Sequence, residues 1–136
     1  MNNSLNKFLG FIRWDAQGLV PCVVQDSKDG AVLMVAYMNR ESLKKTLKEG
    51  RCCYWSRSRK RLWQKGEESG NVQILKEMRV DCDGDCLLAK VEQIGRAACH
   101  TGMRSCFFRK VGKNGALAAS GKKIFDPEKV YTRIKT

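Results

Sequence analysis

Residues 79–86 read RVDCDGDC, which places Asp81, Asp83 and Asp85 at alternate positions and interleaves Cys82 and Cys86. Carboxylates suit a hard divalent cation, whereas thiolates suit a softer one. An EF-hand loop is the first arrangement to weigh, with the aspartates at its positions 1, 3 and 5 and Glu92 at 12. Its position 6 needs glycine for a sharp turn, but Cys86 stands there, and the following LLAKVEQ has the character of a strand. The plain alternative is an aspartate-rich hairpin turn around Gly84. Three neighbouring carboxylates in so basic a chain point toward Mg2+. Alternation along an extended segment would send Asp81, Asp83 and Asp85 to one side and Cys82 to the other.

Cys99 and Cys106 bracket a second chemical stretch, ACHTGMRSC, which holds the single histidine, His100. Cys82 makes a third thiol and Cys86 offers a fourth. Four cysteines would close a structural zinc site, while three protein ligands leave a position open for water. No C-x-x-C pair is present, so core thiols and metal ligands fit the spacing equally. Cys22, in an apolar run, and Cys52 and Cys53, in a strand, read as packing residues. A lone histidine is more often a surface or satisfied core residue. Between two candidate ligands it also suits a proton shuttle near neutral pH.

The formal net charge is +12 over 136 residues. Five of the cations fall in RSRKRLWQK (57–65), which contains no acid, and more follow residue 109. Such a surface is either merely solvated or attracts phosphate, in a nucleic acid or in a small phosphorylated substrate. No apolar run is long enough to span a bilayer, and the N-terminal stretch lacks a secretory pattern. The expectation is a cytoplasmic protein whose seven cysteines, an odd number, are thiols or ligands.

LVPCVVQD (19–26) and AVLMVAYMN (31–39) are rich in strand formers, and the SKDG between them predicts a hairpin. NRESLKKTLKEG (39–50) predicts a helix with Asn39 as N-cap, Leu43 and Leu47 on one face, and Gly50 as its stop. Strands are expected over 51–58, 71–82, 86–95 and 105–111, with a functional loop over 59–71. In the second of these strands Val72, Ile74, Lys76, Met78 and Val80 alternate against Gln73, Leu75, Glu77 and Arg79. The pattern fades after residue 112, and DPEKVYTRIK (126–135) predicts a short helix capped by Asp126. These elements describe one α+β domain over residues 1–111 with a mixed or antiparallel sheet. Residues 112–136 read as a C-terminal extension.

Four stretches, VVQD…VLMVAYMN, YWSRSRKRLWQKGEESGN, VDCDGDCLL and ACHTGMRSCFFR, resemble in order the phosphoribosyl-AMP cyclohydrolases of histidine biosynthesis, over roughly residues 18–111. The resemblance implies a homodimeric enzyme that requires Zn2+ and Mg2+ and hydrolyses the N1–C6 bond of the purine in N1-phosphoribosyl-AMP. It implies Cys82, Cys99 and Cys106 as zinc ligands, in a site where two subunits meet. Asp81, Asp83 and Asp85 would bind magnesium, and His100 would move protons while a zinc-bound hydroxide adds to C6. Trp55, Arg57, Ser58, Arg59, Lys65, Glu67 and Ser69 are the matching candidates for contacts to substrate, with Trp63 either stacking on the purine or packing in the core. Two features depart from the family pattern: GRAACH is one residue longer than its shorter glycine-proline version, and Cys86 stands where a non-ligand is expected. About 25 residues follow the matched region, which points to the monofunctional form rather than a fusion to a pyrophosphatase. The competing class is a zinc-stabilised nucleic-acid-binding module. The enzyme reading instead expects a small nucleotide substrate, with neither nucleic acid nor membrane as partner.

Overall fold

The computed structural model describes residues 3–121 and 124. β1 (Val20–Asp26) and β2 (Val32–Met38) form the expected antiparallel hairpin, with a register shift between Val24 and Gln25. Its turn is fixed by the Asp26 carboxylate, which accepts from the backbone N–H groups of Lys28 and Asp29 at 2.8 and 3.1 Å.

α2 (Arg40–Glu49) begins and ends where its capping chemistry dictates. The Asn39 side chain accepts from Ser42 N at 2.8 Å while Ser42 Oγ accepts from Asn39 N at 2.9 Å, a reciprocal cap. Gly50 closes the helix at φ 73°, a left-handed conformation that glycine adopts without strain. The buried face consists of Ser42, Leu43 and Thr46, so Leu47 lies at its margin rather than at its centre. Thr46 Oγ1 also accepts from Cys53 N at 2.9 Å, which ties the helix to the next strand.

The main sheet has the order β2-β1-β6-β5, where β5 is Gln73–Val80 and β6 is Leu87–Gln93. β5 and β6 are antiparallel, whereas β1 and β6 run parallel with Cys22 opposite Leu87. β6 is central, and its burial alternates strictly. β5 departs from simple alternation because its register shifts between Leu75 and Glu77. That irregularity lets Leu75 pack on the core together with Met78 and Val80, although plain alternation put them on opposite faces.

β3 (Cys53–Ser56) and β4 (Arg61–Gln64) form a separate antiparallel hairpin. Part of the expected 59–71 loop is therefore a strand. β4 carries charge and a single aromatic, and it is held by pairing with β3 rather than by its own apolar pattern. A second element was not expected either: α1 (Asn3–Phe11) lays Leu5, Phe8 and Leu9 on the core, followed by Ile12 and Trp14. Their helical spacing is visible in the sequence. β7 (Arg109–Val111) and β8 (Leu117–Ala119) make a fully exposed ribbon, so the patterned chain continues past residue 112 and Ser105–Phe108 are not strand. The helix expected over 126–135 lies outside the described residues.

The molecule is thus α+β, with two described helices, a mixed four-stranded sheet and two small hairpins. Cys22, Cys52 and Cys53 are buried, as packing residues should be. Below the sheet edge Gln73 is also buried. It donates to Gln93 Oε1 at 2.8 Å and accepts from the Tyr54 hydroxyl. No helix among the described residues is long and apolar enough to cross a membrane.

Candidate metal and nucleotide site

Residues 81–86 form the turn joining β5 to β6, not an extended segment. Asp81 N donates to Cys86 O at 3.0 Å, Gly84 N to Asp81 O at 3.2 Å, and Asp85 N to Asp81 Oδ1 at 3.0 Å. The turn folds Asp85 back onto Asp81, so it is this fold-back and not strand alternation that brings the two carboxylates together, with the charge of Asp83 also acting on Asp85. The carboxyl of Asp85 is raised above its ordinary value, first by its hydrogen bond with Asp81 and then by the charge of Asp81. For Asp81 the largest single contribution, desolvation, pushes upward, but the Asp85 bond and backbone N–H donors outweigh it and the net shift is downward. Asp81, Cys82, Asp83 and Asp85 are all exposed. An oxygen pair of this kind fits Mg2+, which is commonly held through one or two carboxylates with water and phosphate completing the shell.

Cys86 Sγ lies 3.6 Å from Leu87 O. It is half-buried, close enough to the interior Cys22 to raise that thiol, and its own thiol is raised by desolvation and then by Asp81 and Asp85.

The second half of the site is the loop 98–106. Ala98 N donates to Arg104 O at 2.9 Å and Cys99 N to Met103 O at 3.1 Å, which closes a tight hairpin with exposed His100 at its tip. Cys106 N donates to Leu33 O at 2.7 Å, and Ser105 Oγ to Val32 O at 2.7 Å, so β2 anchors the far end. Arg104 bridges to Asp29 at 2.8 Å and Asp26 at 3.4 Å, fastening the loop to the β1–β2 turn. These contacts bring the Cys99 and Cys106 thiols together. Cys106 is pushed up to about 12, first by desolvation and then by the neighbouring Cys99. Thr101 Oγ1 lies 2.9 Å from Cys99 Sγ, a contact the spacing of the sequence did not single out. A soft thiol pair with an imidazole one residue away fits zinc, and coordination would replace the shared protons.

Cys82 does not join them within one chain. Among the described residues no three His, Cys, Asp or Glu side chains converge on a common point. The chain presents two candidate part-sites: an aspartate pair beside an exposed cysteine, and a cysteine pair beside a histidine.

The predicted substrate residues divide by position. Arg57 lies over the Tyr37 ring at 3.9 Å, Ser58 and Arg59 are exposed at the tip of the β3–β4 hairpin, and Trp55 is half-buried. Arg59 reaches Glu68 at 3.7 Å and Arg61 reaches Glu67 at 2.7 Å, so Glu67 is already paired. Ser69 Oγ accepts from Asn71 N at 3.2 Å within the following loop. Trp63 packs on the core with its ring 5.5 Å from that of Tyr54. Lys65 lies apart from the arginines: it is buried, and its Nζ donates to Ala98 O at 2.7 Å. Its ammonium is pulled below the ordinary lysine value by burial, against the pull of Cys106 and Cys99.

One cavity, of about 510 Å³, lies elsewhere, between the C-terminal ends of β1 and β6, lined by Asp26, Lys28, Glu92, Gln93, Arg104 and Ile124 among others. None of the expected site residues lines it.

The family model for phosphoribosyl-AMP cyclohydrolase matches residues 34–108, a span that includes both part-sites. The chain belongs to the phosphoribosyl-AMP cyclohydrolase family. A phosphoribosyl-AMP cyclohydrolase of Nitrosomonas europaea is 52% identical over 128 residues, covering 94% of this chain and 98% of the relative. Those of Chlorobium chlorochromatii and Pseudomonas fluorescens are each 54% identical, covering 96% and 94% of this chain and 97% and 96% of their own. Members of this family are hydrolases acting on a cyclic amidine, and the family's step belongs to histidine biosynthesis.

Proposed function

We propose that the chain opens the purine ring of N1-(5-phosphoribosyl)-AMP by hydrolysing its N1–C6 bond, as a homodimer using zinc and magnesium. The observation that carries this reading is the division of ligands. Cys99 and Cys106 meet in one place, while the exposed Cys82 does not complete a three-ligand group with them among the described residues, which supports a reading in which a second chain supplies the third thiolate. When bound, zinc would lower the pKa of its water to about 7, and magnesium would neutralise a substrate phosphate.

The chain's own residues do the rest. Cys99 and Cys106 of one subunit, with Cys82 of the other, would hold the zinc. The Asp81–Asp85 pair, with Asp83 nearby, would hold the magnesium against phosphate. N1-alkylation makes C6 of the adenine ring electrophilic, and His100, at the solvent-facing tip of its loop, would carry a proton to the departing N1. Arg57 and Arg59 offer paired donors to the remaining phosphate oxygens, with Ser58 beside them. Half-buried Trp55 offers its face to the purine.

The test is direct: phosphoribosyl-AMP is added to the purified chain with both metals, and ring opening is followed by absorbance. We expect turnover that disappears on chelation. Absence of ring opening with both metals supplied would refute the assignment.

A further inference from the structure

The most unusual side chain near the cysteine pair is Lys65, which follows the end of β4. Its backbone N–H donates to Cys52 O at 3.1 Å, and its side chain runs inward until the residue is only 5% exposed. Nζ donates to Ala98 O at 2.7 Å and lies 5.7 Å from the centre of the Trp63 ring. No carboxylate among the described residues pairs with it. The groups of potential negative charge that act on it are the thiols of Cys106 and Cys99.

A buried ammonium satisfied by one carbonyl and one aromatic face is costly unless an anion compensates it. Three thiolates around a divalent ion carry one net negative charge. We infer that Lys65 is a positioning residue for the zinc centre: its ammonium ties the carbonyl preceding Cys99 to the end of β4 and supplies the buried counter-charge of the metal–thiolate group. This inference rests on the reading of Cys99 and Cys106 as ligands. It removes Lys65 from the phosphate-binding set, because its Nζ is committed inside the fold. Like other groups that orient metal ligands, its loss should weaken metal binding by roughly 10–100-fold.

The test uses the full chain, Co2+ as a spectroscopic probe, and three variants: Lys65→Met, Lys65→Gln and Lys65→Arg. Affinity is read from the thiolate-to-cobalt absorption in competition with a chelator, and thermal midpoints are measured with and without metal. We expect Lys65→Met to lose affinity by that factor while the metal-free form melts no lower than the unsubstituted chain. Lys65→Gln, which keeps a donor for Ala98 O but no charge, should also bind more weakly, and Lys65→Arg should recover part of the loss. Should Lys65→Met not fold, Lys65→Gln decides by the same criteria. Unchanged affinity, or an equal drop in melting with and without metal, would reduce Lys65 to a packing role and overturn the inference. Absence of any thiolate band in the unsubstituted chain would instead remove the metal centre itself, and the inference with it.

Discussion

A Cβ on Gly84 would run into the carbonyl oxygen of Phe11, and Gly84 O accepts from Arg13 N at 2.7 Å. The end of α1 therefore seats the aspartate turn. Gly84 also holds φ 74°, so Gly84→Ala meets both a clash with backbone and a left-handed conformation. The expected cost is about 1–3 kcal/mol in chemical denaturation. Weaker magnesium binding should accompany it, read as a higher Mg2+ concentration for half-maximal activity.

Shared ligation predicts subunit complementation. Cys82→Ser and Cys99→Ser should each be inactive alone. Mixed, unfolded and refolded together, they should regain about a quarter of normal activity, since half the dimers are mixed and each has one intact site. A mixture as inactive as its components would place all three thiols in one chain.

His100→Ala should lower turnover by roughly 10²–10⁴-fold, the usual contribution of a general acid or base. Zinc content, measured by elemental analysis, should be unchanged. Unaltered turnover would exclude the histidine from proton transfer.

A fourth prediction concerns acid stability. Asp29 is held below the ordinary carboxyl value, first by the N–H of Ala31 and then by Arg104. A depressed folded value means its stabilisation is present above the unfolded value of about 4 and is lost as pH falls through the folded one. Arg104→Ala should therefore melt below the unsubstituted chain at pH 7, and the gap should narrow on acidification below pH of about 4. A constant gap would show that Arg104 acts through packing alone.

The helix at 40–49 and the first hairpin were legible because their signals are local. Asn39, Gly50 and the strand formers of 19–39 act on their immediate neighbours. β4 was not legible, because Arg61 and Gln64 take strand geometry from pairing with β3. The phase of β5 was misread because a bulge leaves no mark in the types of its residues. In the candidate site, the motifs named Asp81, Asp85, Cys99, Cys106 and His100, and the structure brings Asp81 to Asp85 and Cys99 to Cys106. They did not give the fold-back of Asp85, a local turn that strand alternation hid, or the inward course of Lys65, which depends on a chain segment 33 residues away.

The parallel seam between β1 and β6 bears on how the protein forms. Each hairpin of the chain can close on itself early, since its partners are neighbours, but Cys22 and Leu87 meet across most of the domain. Closing that long loop is the entropically demanding event, so it should set the folding rate. Only once the seam has closed does the centre of the sheet exist. A nascent chain would therefore hold the first hairpin with the β1 edge unpaired until β6 has emerged, leaving that edge open to other molecules in the interval.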